Sequence, residues 1–245
     1  MKPRILIWDI ETLPNEGLFW QLRVDGYLSY DSITRERSMI CGSWKWLGAK
    51  DVWTVAVDIN DPTNDKNVVI ALHKVVSDAD AIIHHNGDSF DLPWLRARSV
   101  FYGLPALPPI IQIDTKKIAK KAFYFNSNRL DYLAQFLGLG KKIKTDYDLW
   151  KRCLAGDQKA LDKMVRYNQR DVRLLEKIYK KLSPYIPAPL NRVLFTEREA
   201  CQNCGSTNVQ YRGFHYTKAN KYRRYQCVTC GSWSRSLKPI KTEEV

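Results

Sequence analysis

Acidic residues occur at three places where their spacing matters for chemistry. The first is Asp9-Ile10-Glu11, closing an apolar run that begins near Arg4. In an extended chain, residues two apart share a face, so both carboxylates occupy one spot and Ile10 points away. Two anions there repel and lose hydration, a cost that a divalent cation between them removes. Alone, the pair reads equally as a solvated start of a loop. The second place is Asn86-Gly87-Asp88-Ser89-Phe90-Asp91-Leu92-Pro93, between a strand-like and a helix-like segment. A helix N-terminus favours an ionised carboxylate. Asp91 suits either a cation or a helix cap, and Asp88 competes for either task. The third is Tyr167-Asn168-Gln169-Arg170-Asp171. Four residues is about one helical turn, so Tyr167 and Asp171 can act together. Taken singly they are a half-buried tyrosine and a surface aspartate.

Four of the six cysteines form Cys201-x2-Cys204 and Cys227-x2-Cys230, separated by 22 residues and each pair followed by Gly-Ser. This spacing suits one tetrahedral structural Zn²⁺ rather than two disulfides in a reducing compartment. The segment resembles a zinc ribbon, with residues 208–214 and 222–227 as its strands. So short a chain draws its folding free energy from metal. Cys41 and Cys153 read as small core residues. Between the cysteine pairs, Arg212, Arg223 and Arg224 lie among tyrosines, which suits cations on phosphates and rings against bases. A protein-docking face is the alternative. A second basic tract runs from Lys116 through Lys121, Arg129, Lys141, Lys142 and Lys144, with Phe123, Tyr124 and Phe125 available for stacking. His84 and His85 alternate at a strand end, one toward the core and one toward a cleft edge, in structural or substrate-contact roles. Asn86 is a candidate substrate contact through its amide.

The order Asp-x-Glu, Asn-x4-Asp, Tyr-x3-Asp resembles the three exonuclease motifs of the DEDD superfamily in its tyrosine subclass (DEDDy). Residues 85–93 and 167–172 look most like the proofreading domain of family B DNA polymerases. The resemblance covers roughly residues 4–182 and is shared by stand-alone bacterial and viral proteins. It implies a ribonuclease H-like fold in which Asp9, Glu11, Asp91 and Asp171 hold two Mg²⁺ or Mn²⁺ ions. Hard cations suit oxygen ligands; a pair about 4 Å apart activates water and stabilises the departing 3′ oxygen of a phosphodiester. Tyr167 would then orient the attacking water together with Glu11.

These side chains need a scaffold. Residues 4–10 read as a strand, 39–46 and 51–57 as a hairpin, and 64–77 as a helix. A short strand at 79–85, a helix at 92–102 and a strand at 110–113 come next. Helices follow at 115–122, 130–137, 147–154 and 157–182. That order predicts an α/β fold, a mixed sheet flanked by helices, plus a small C-terminal zinc ribbon. Three prolines within residues 183–189 mark a connector, giving expected units of 1–182, a proline-rich 183–200 and 201–245.

The chain of 245 residues carries a net charge of +13, and residues 201–245 contribute eight basic and two acidic side chains. Such an excess attracts polyanions, making nucleic acid the expected partner; the family resemblance implies single-stranded 3′ ends as the favoured form and a polymerase or replication and repair protein as context. The longest aliphatic runs are one strand long, short of the roughly 20 residues that span a bilayer. No membrane association is expected, and the reading is cytoplasmic, host cytoplasm if viral. Together these features predict a metal-dependent 3′-to-5′ exonuclease, DNA favoured. The alternatives are an RNase or structure-specific endonuclease with the same metals, and a non-catalytic binding or polymerase-associated protein.

Overall fold

The computed structural model describes residues 2–21, 26–196 and 199–240. The basic Lys241 and acidic Glu243 and Glu244 of the tail lie outside the described residues. Strand β1 (Ile5–Thr12) runs through the middle of a five-stranded sheet. Its apolar run allows this, because a central strand is covered on both faces. Leu6, Trp8 and Ile10 enter one core and Ile5 and Ile7 the other. Two short strands, β2 (Glu16–Gly17) and β3 (Ile33–Arg35), pair with each other in a stretch that the sequence leaves as loop. β4 (Met39–Trp46) lies antiparallel to β1, with β5 (Trp53–Ala56) outside it. The turn between β4 and β5 places Gly48 at φ +90°, where a side chain is strained.

Helix α1 (Lys66–Ser77) leads to β6 (Ala81–His84), parallel to β1. Helix α2 (Asp91–Phe101) leads to β7 (Ile111–Asp114), parallel to β6. The sheet order is therefore β5-β4-β1-β6-β7. Helices α3 (Thr115–Ala122), α4 (Leu130–Phe136), α5 (Tyr147–Leu154) and α6 (Gln158–Leu182) follow. Three start on an aspartate whose side chain accepts N–H bonds of the first turn: Asp114, Asp146 and Asp157.

α6 ties the two cores together. Leu161 and Met164 pack into the first, and Val172, Leu175, Ile178 and Leu182 into the second. Its Glu176 forms a buried ion pair with Lys45 of β4 and accepts the Gly48 N–H at 3.0 Å. Breaking so enclosed a pair by removing one partner costs about 3–5 kcal/mol, so the position of α6 against the sheet is firmly set. After α6, 3₁₀ turns at Ser183–Tyr185 and Arg192–Phe195 occupy the proline-rich stretch. Leu190 from that stretch joins the second core. The C-terminal segment forms an antiparallel sheet of β8 (Val209–Tyr216), β9 (Lys221–Cys227) and β10 (Trp233–Arg235). β10 is the strand that the sequence did not suggest. No helix among the described residues is long and apolar enough to cross a membrane.

Candidate active site

Alternation along β1 puts Asp9 and Glu11 on the face that carries Ile5 and Ile7. α6 crosses that face and delivers Tyr167 and Asp171. One carboxylate oxygen each from Asp9, Glu11 and Asp171 lie within 4.8 Å of one another. Asp91, the first residue of α2 and only 2% exposed, stands alongside. Its Oδ1 accepts the Ile10 N–H at 3.1 Å, so it clamps the helix to β1 rather than capping its own helix. Asp88 turns elsewhere, pairing with Lys117 and with His84. Sequence positions 9, 11, 91 and 171 thus converge, with three carboxylates sharing one point.

The electrostatics are those of anions forced together. Burial, then the charges of Asp91, Glu11 and Asp171, holds Asp9 well above the ordinary carboxylate range. Burial, with Asp171 adding to it, pushes Glu11 up to about 8. Asp91 rises to about 7, again mainly through burial. Asp171 also rises, because burial outweighs the attraction of Lys142.

Lys142 is the cation that offsets this charge. Its ammonium pairs with Asp171, donates to the Tyr167 hydroxyl at 3.2 Å and lies 5.2 Å from the centre of the tyrosine ring. Burial, helped by Asp171, pushes the Tyr167 phenol up to about 12, so it stays neutral through the physiological range. Asn168, fully buried, donates from Nδ2 to Asp9 Oδ2 at 2.7 Å. Asp171 Oδ1 is buried without a hydrogen-bond partner. A convergent all-oxygen donor set, elevated carboxylates, an orphaned oxygen and an ammonium drawn among them all fit a site for hard divalent cations.

Sequence reasoning treated Lys142 only as one member of a basic tract and passed over Asn168. The available signal was an asparagine on the buried side of a helix, three residues before a candidate ligand. For Lys142 there was none, since it lies in an aperiodic loop.

Both histidines at the end of β6 are held by neighbouring groups. His84 is fully buried between Asp88 and Asp114, and burial lowers its pKa. A Cβ on Gly87 would come within 2.4 Å of the His84 ring, so only glycine fits there. Both nitrogens of His85 are engaged, at 2.9 Å to Thr115 Oγ1 and 2.9 Å to the Asn128 carbonyl, and burial lowers it to about 4. Asn86 takes up φ +71°, its N–H donating to Asp114 and its Oδ1 accepting from Lys116.

In the C-terminal sheet the four sulfurs of Cys201, Cys204, Cys227 and Cys230 lie within 4.8 Å of one another. The Cys201–Cys230 and Cys204–Cys227 separations are both 3.6 Å, and all six cysteines are free thiols. Zn–S bonds of about 2.3 Å give tetrahedral edges close to that separation, far longer than a disulfide. Cys201 is pushed down to about 5, chiefly by a hydrogen bond with the Cys204 thiol. The three candidate arginines are exposed but part company. Arg224 faces a cleft toward α6, and Arg223 faces the opposite side, beside Leu237 and Lys238. Arg212 bonds its neighbour Gln210 at 2.9 Å.

Comparison with known proteins fits this architecture. No curated protein matches the chain. Among solved structures, the family B DNA polymerase from the hyperthermophilic archaeon Pyrobaculum calidifontis superposes with a TM-score of 0.57 at 20% identity. The match covers 74% of this chain and 25% of the polymerase, so the likeness is one of fold over a quarter of that enzyme. The RNase_H_2 family model, described as RNase_H superfamily, matches residues 34–183, which carry Asp91, Tyr167 and Asp171. With more than half its length matched and the mixed sheet flanked by helices in place, the chain belongs to the RNase_H superfamily.

Proposed function

We propose that the protein is a metal-dependent 3′-to-5′ exonuclease of the DEDDy type acting on nucleic acid, with DNA the favoured substrate. The observation that carries this reading is the convergence of Asp9, Glu11 and Asp171 within 4.8 Å, with the neutral Tyr167 hydroxyl on the same helical face as Asp171. The motif resemblance supports the 3′-to-5′ polarity.

Asp9, Glu11 and Asp171 would hold two Mg²⁺ or Mn²⁺ ions, with Asp91 supporting the second. When bound, such ions supply Lewis-acid activation of water and stabilisation of the charge that develops on the phosphate and the leaving oxygen. The chain's own groups do the positioning. Asn168 orients the Asp9 carboxylate, and the Ile10 N–H orients Asp91. Tyr167, too weakly acidic to act as a base near neutrality, holds the attacking water by hydrogen bonding. Lys142 fixes that phenol. Asn86, with its oxygen taken by Lys116, keeps its amide NH₂ to donate to substrate. The Cys201, Cys204, Cys227 and Cys230 module is a zinc ribbon holding one structural Zn²⁺, and Arg212, Arg223 and Arg224 supply cations for the nucleic acid.

The test uses 5′-labelled linear, 3′-blocked and circular DNA and RNA, incubated with Mg²⁺, Mn²⁺ or EDTA. A metal-dependent ladder from free 3′ ends is expected. Cutting of circles would make the protein an endonuclease, and retention without products a binding protein.

A further inference from the structure

The C-terminal end of α6, the proline-rich turn and the cysteine module enclose a cleft of about 1440 Å³. Its lining holds six cations, Lys177, Lys180, Lys181, Arg192, Arg224 and Arg235, and no carboxylate among the described residues. Of the six, only Lys180 has a carboxylate partner among those residues, Glu176 at 2.6 Å. Arg235 presents an Nη1 that is shielded from solvent and has no hydrogen-bond partner. Aromatic faces border the same space: Tyr185 is 77% exposed and Trp233 49% exposed, with the Arg224 guanidinium 5.1 Å from the centre of the Trp233 ring. Six cations outnumber the two negative charges that a zinc-loaded four-thiolate centre would place beside them and so draw an anion, and open rings beside them draw unstacked bases.

The cleft does not stand apart from the carboxylates. Between positions 166 and 181, every exposed residue of α6 is basic: Arg166, Arg173, Lys177, Lys180 and Lys181, with the half-buried Arg170 in line. At 3.6 residues per turn these fall within about a third of the helix circumference, flanking the side that bears Tyr167 and Asp171. At 1.5 Å per residue the stripe is about 22 Å long. It joins the acidic site to the cleft.

We propose that this cleft binds the body of a single-stranded nucleic acid whose 3′ end lies at Asp9, Glu11 and Asp171, the intervening phosphates following the stripe along α6. The inference rests on the nuclease reading for its 3′ end, but the cleft can be tested without turnover. A single strand is favoured over a duplex because ring faces such as Tyr185 and Trp233 are of use only to bases freed from pairing.

The experiment is fluorescence anisotropy without added Mg²⁺ or Mn²⁺, and without chelator so that the cysteine module keeps its metal, with the full chain and a labelled oligonucleotide over a range of salt. Lys177→Glu/Lys181→Glu is compared with Lys66→Glu/Lys74→Glu, an identical change of net charge on the exposed face of α1. Thermal melting confirms that both variants fold. The cleft variant should lose affinity on the order of tenfold, and its slope of log affinity against log salt should flatten by about 1.4, or 0.7 per lost phosphate contact. The α1 variant should stay within about twofold of wild type. Equal losses in the two variants would overturn the proposal, as would tighter binding of blunt duplex or of an acidic polypeptide than of the single strand. Failure of the nuclease reading shows itself differently, as intact binding here with no cleavage in the presence of Mn²⁺.

Discussion

Replacing Lys142 by alanine removes the cation closest to the carboxylate cluster, and its cost can be worked from the surroundings. The partner, Asp171, is 2% exposed, whereas the lysine side chain is 26% exposed. A fully enclosed pair broken on one side costs about 3–5 kcal/mol and an exposed one about 0–1. This pair, enclosed on one side only, falls between, at about 2 kcal/mol. For a chain of this size each kcal/mol moves Tm by about 2–4 °C. Lys142→Ala should therefore melt about 4–8 °C below wild type in the absence of added divalent ion. The deficit should grow as pH rises and the carboxylates lose their protons. A divalent ion at about 100 times its Kd returns about 2.7 kcal/mol. In wild type that ion must first displace the ammonium, so the Mn²⁺-induced rise in Tm should be larger in the variant, by a similar 4–8 °C. Differential scanning calorimetry with and without Mn²⁺ reads both quantities, with Lys142→Met preserving the aliphatic stem. An unchanged Tm without added divalent ion, or equal Mn²⁺ gains in the two proteins, would refute the view of Lys142 as the stand-in for metal charge.

Tyr167→Phe should slow turnover on the order of 10²-fold, as loss of one positioning hydrogen bond does, while calorimetric Mn²⁺ affinity stays near wild type; a collapse of affinity would make the tyrosine a metal ligand. The metal-free protein should lose stability as pH rises from about 6.5 to 8. The folded pKa of Glu11, about 8, lies above its unfolded value, so its contribution is complete at low pH and disappears as pH climbs through 8. Saturating Mn²⁺ should flatten that slope, and a slope that survives metal would contradict it. Between about 4.5 and 6.5, where the Glu11 contribution already declines as pH rises, His85 acts with the opposite sign. Its folded pKa of about 4 lies under the unfolded value, so its contribution, at most about 3 kcal/mol, is present above about 6.5 and lost as pH falls toward 4. Urea melts of wild type and His85→Gln at pH 7 and pH 5 should converge as the pH drops. Cys227→Ser should abolish one equivalent of bound zinc by elemental analysis and expose the 201–240 segment to limited proteolysis, with the first 182 residues left intact; retained zinc would reject four-thiolate ligation.

Much of the scaffold was written locally. Strand periodicity in β1 announced that Asp9 and Glu11 share a face and that Ile10 opposes them, because side-chain direction in an extended chain alternates whatever the surroundings. The helix ranges at 115–122, 147–154 and 157–182 rest on an equally local pattern, and the structure adds its reason: the carboxylates of Asp114, Asp146 and Asp157 bond N–H groups two or three residues ahead. Cysteine spacing likewise foretold a cluster of four sulfurs, and the succession of strands and helices foretold a mixed sheet. The strands β2 and β3, two and three residues long, escaped notice, since segments so short carry no periodicity.

What needed the folded chain was everything set by contacts between distant segments. Residue type and place leave Asp88 beside Asp91, with only the motif resemblance favouring Asp91; in the fold the Ile10 N–H, 81 positions away, holds Asp91 at the site, while His84 and Lys117 hold Asp88 aside. Lys142 becomes part of the acidic site because a loop folds over α6. Arg223 and Arg224 are interchangeable until β9 is paired, after which one faces the cleft and its neighbour faces away. Residue types and short spacings report intrinsic geometry, and so they carried the carboxylates, the thiolates and the strands. Which groups end up sharing a point in space depends on how the sheet and α6 pack, and that is decided by burial summed over the whole chain.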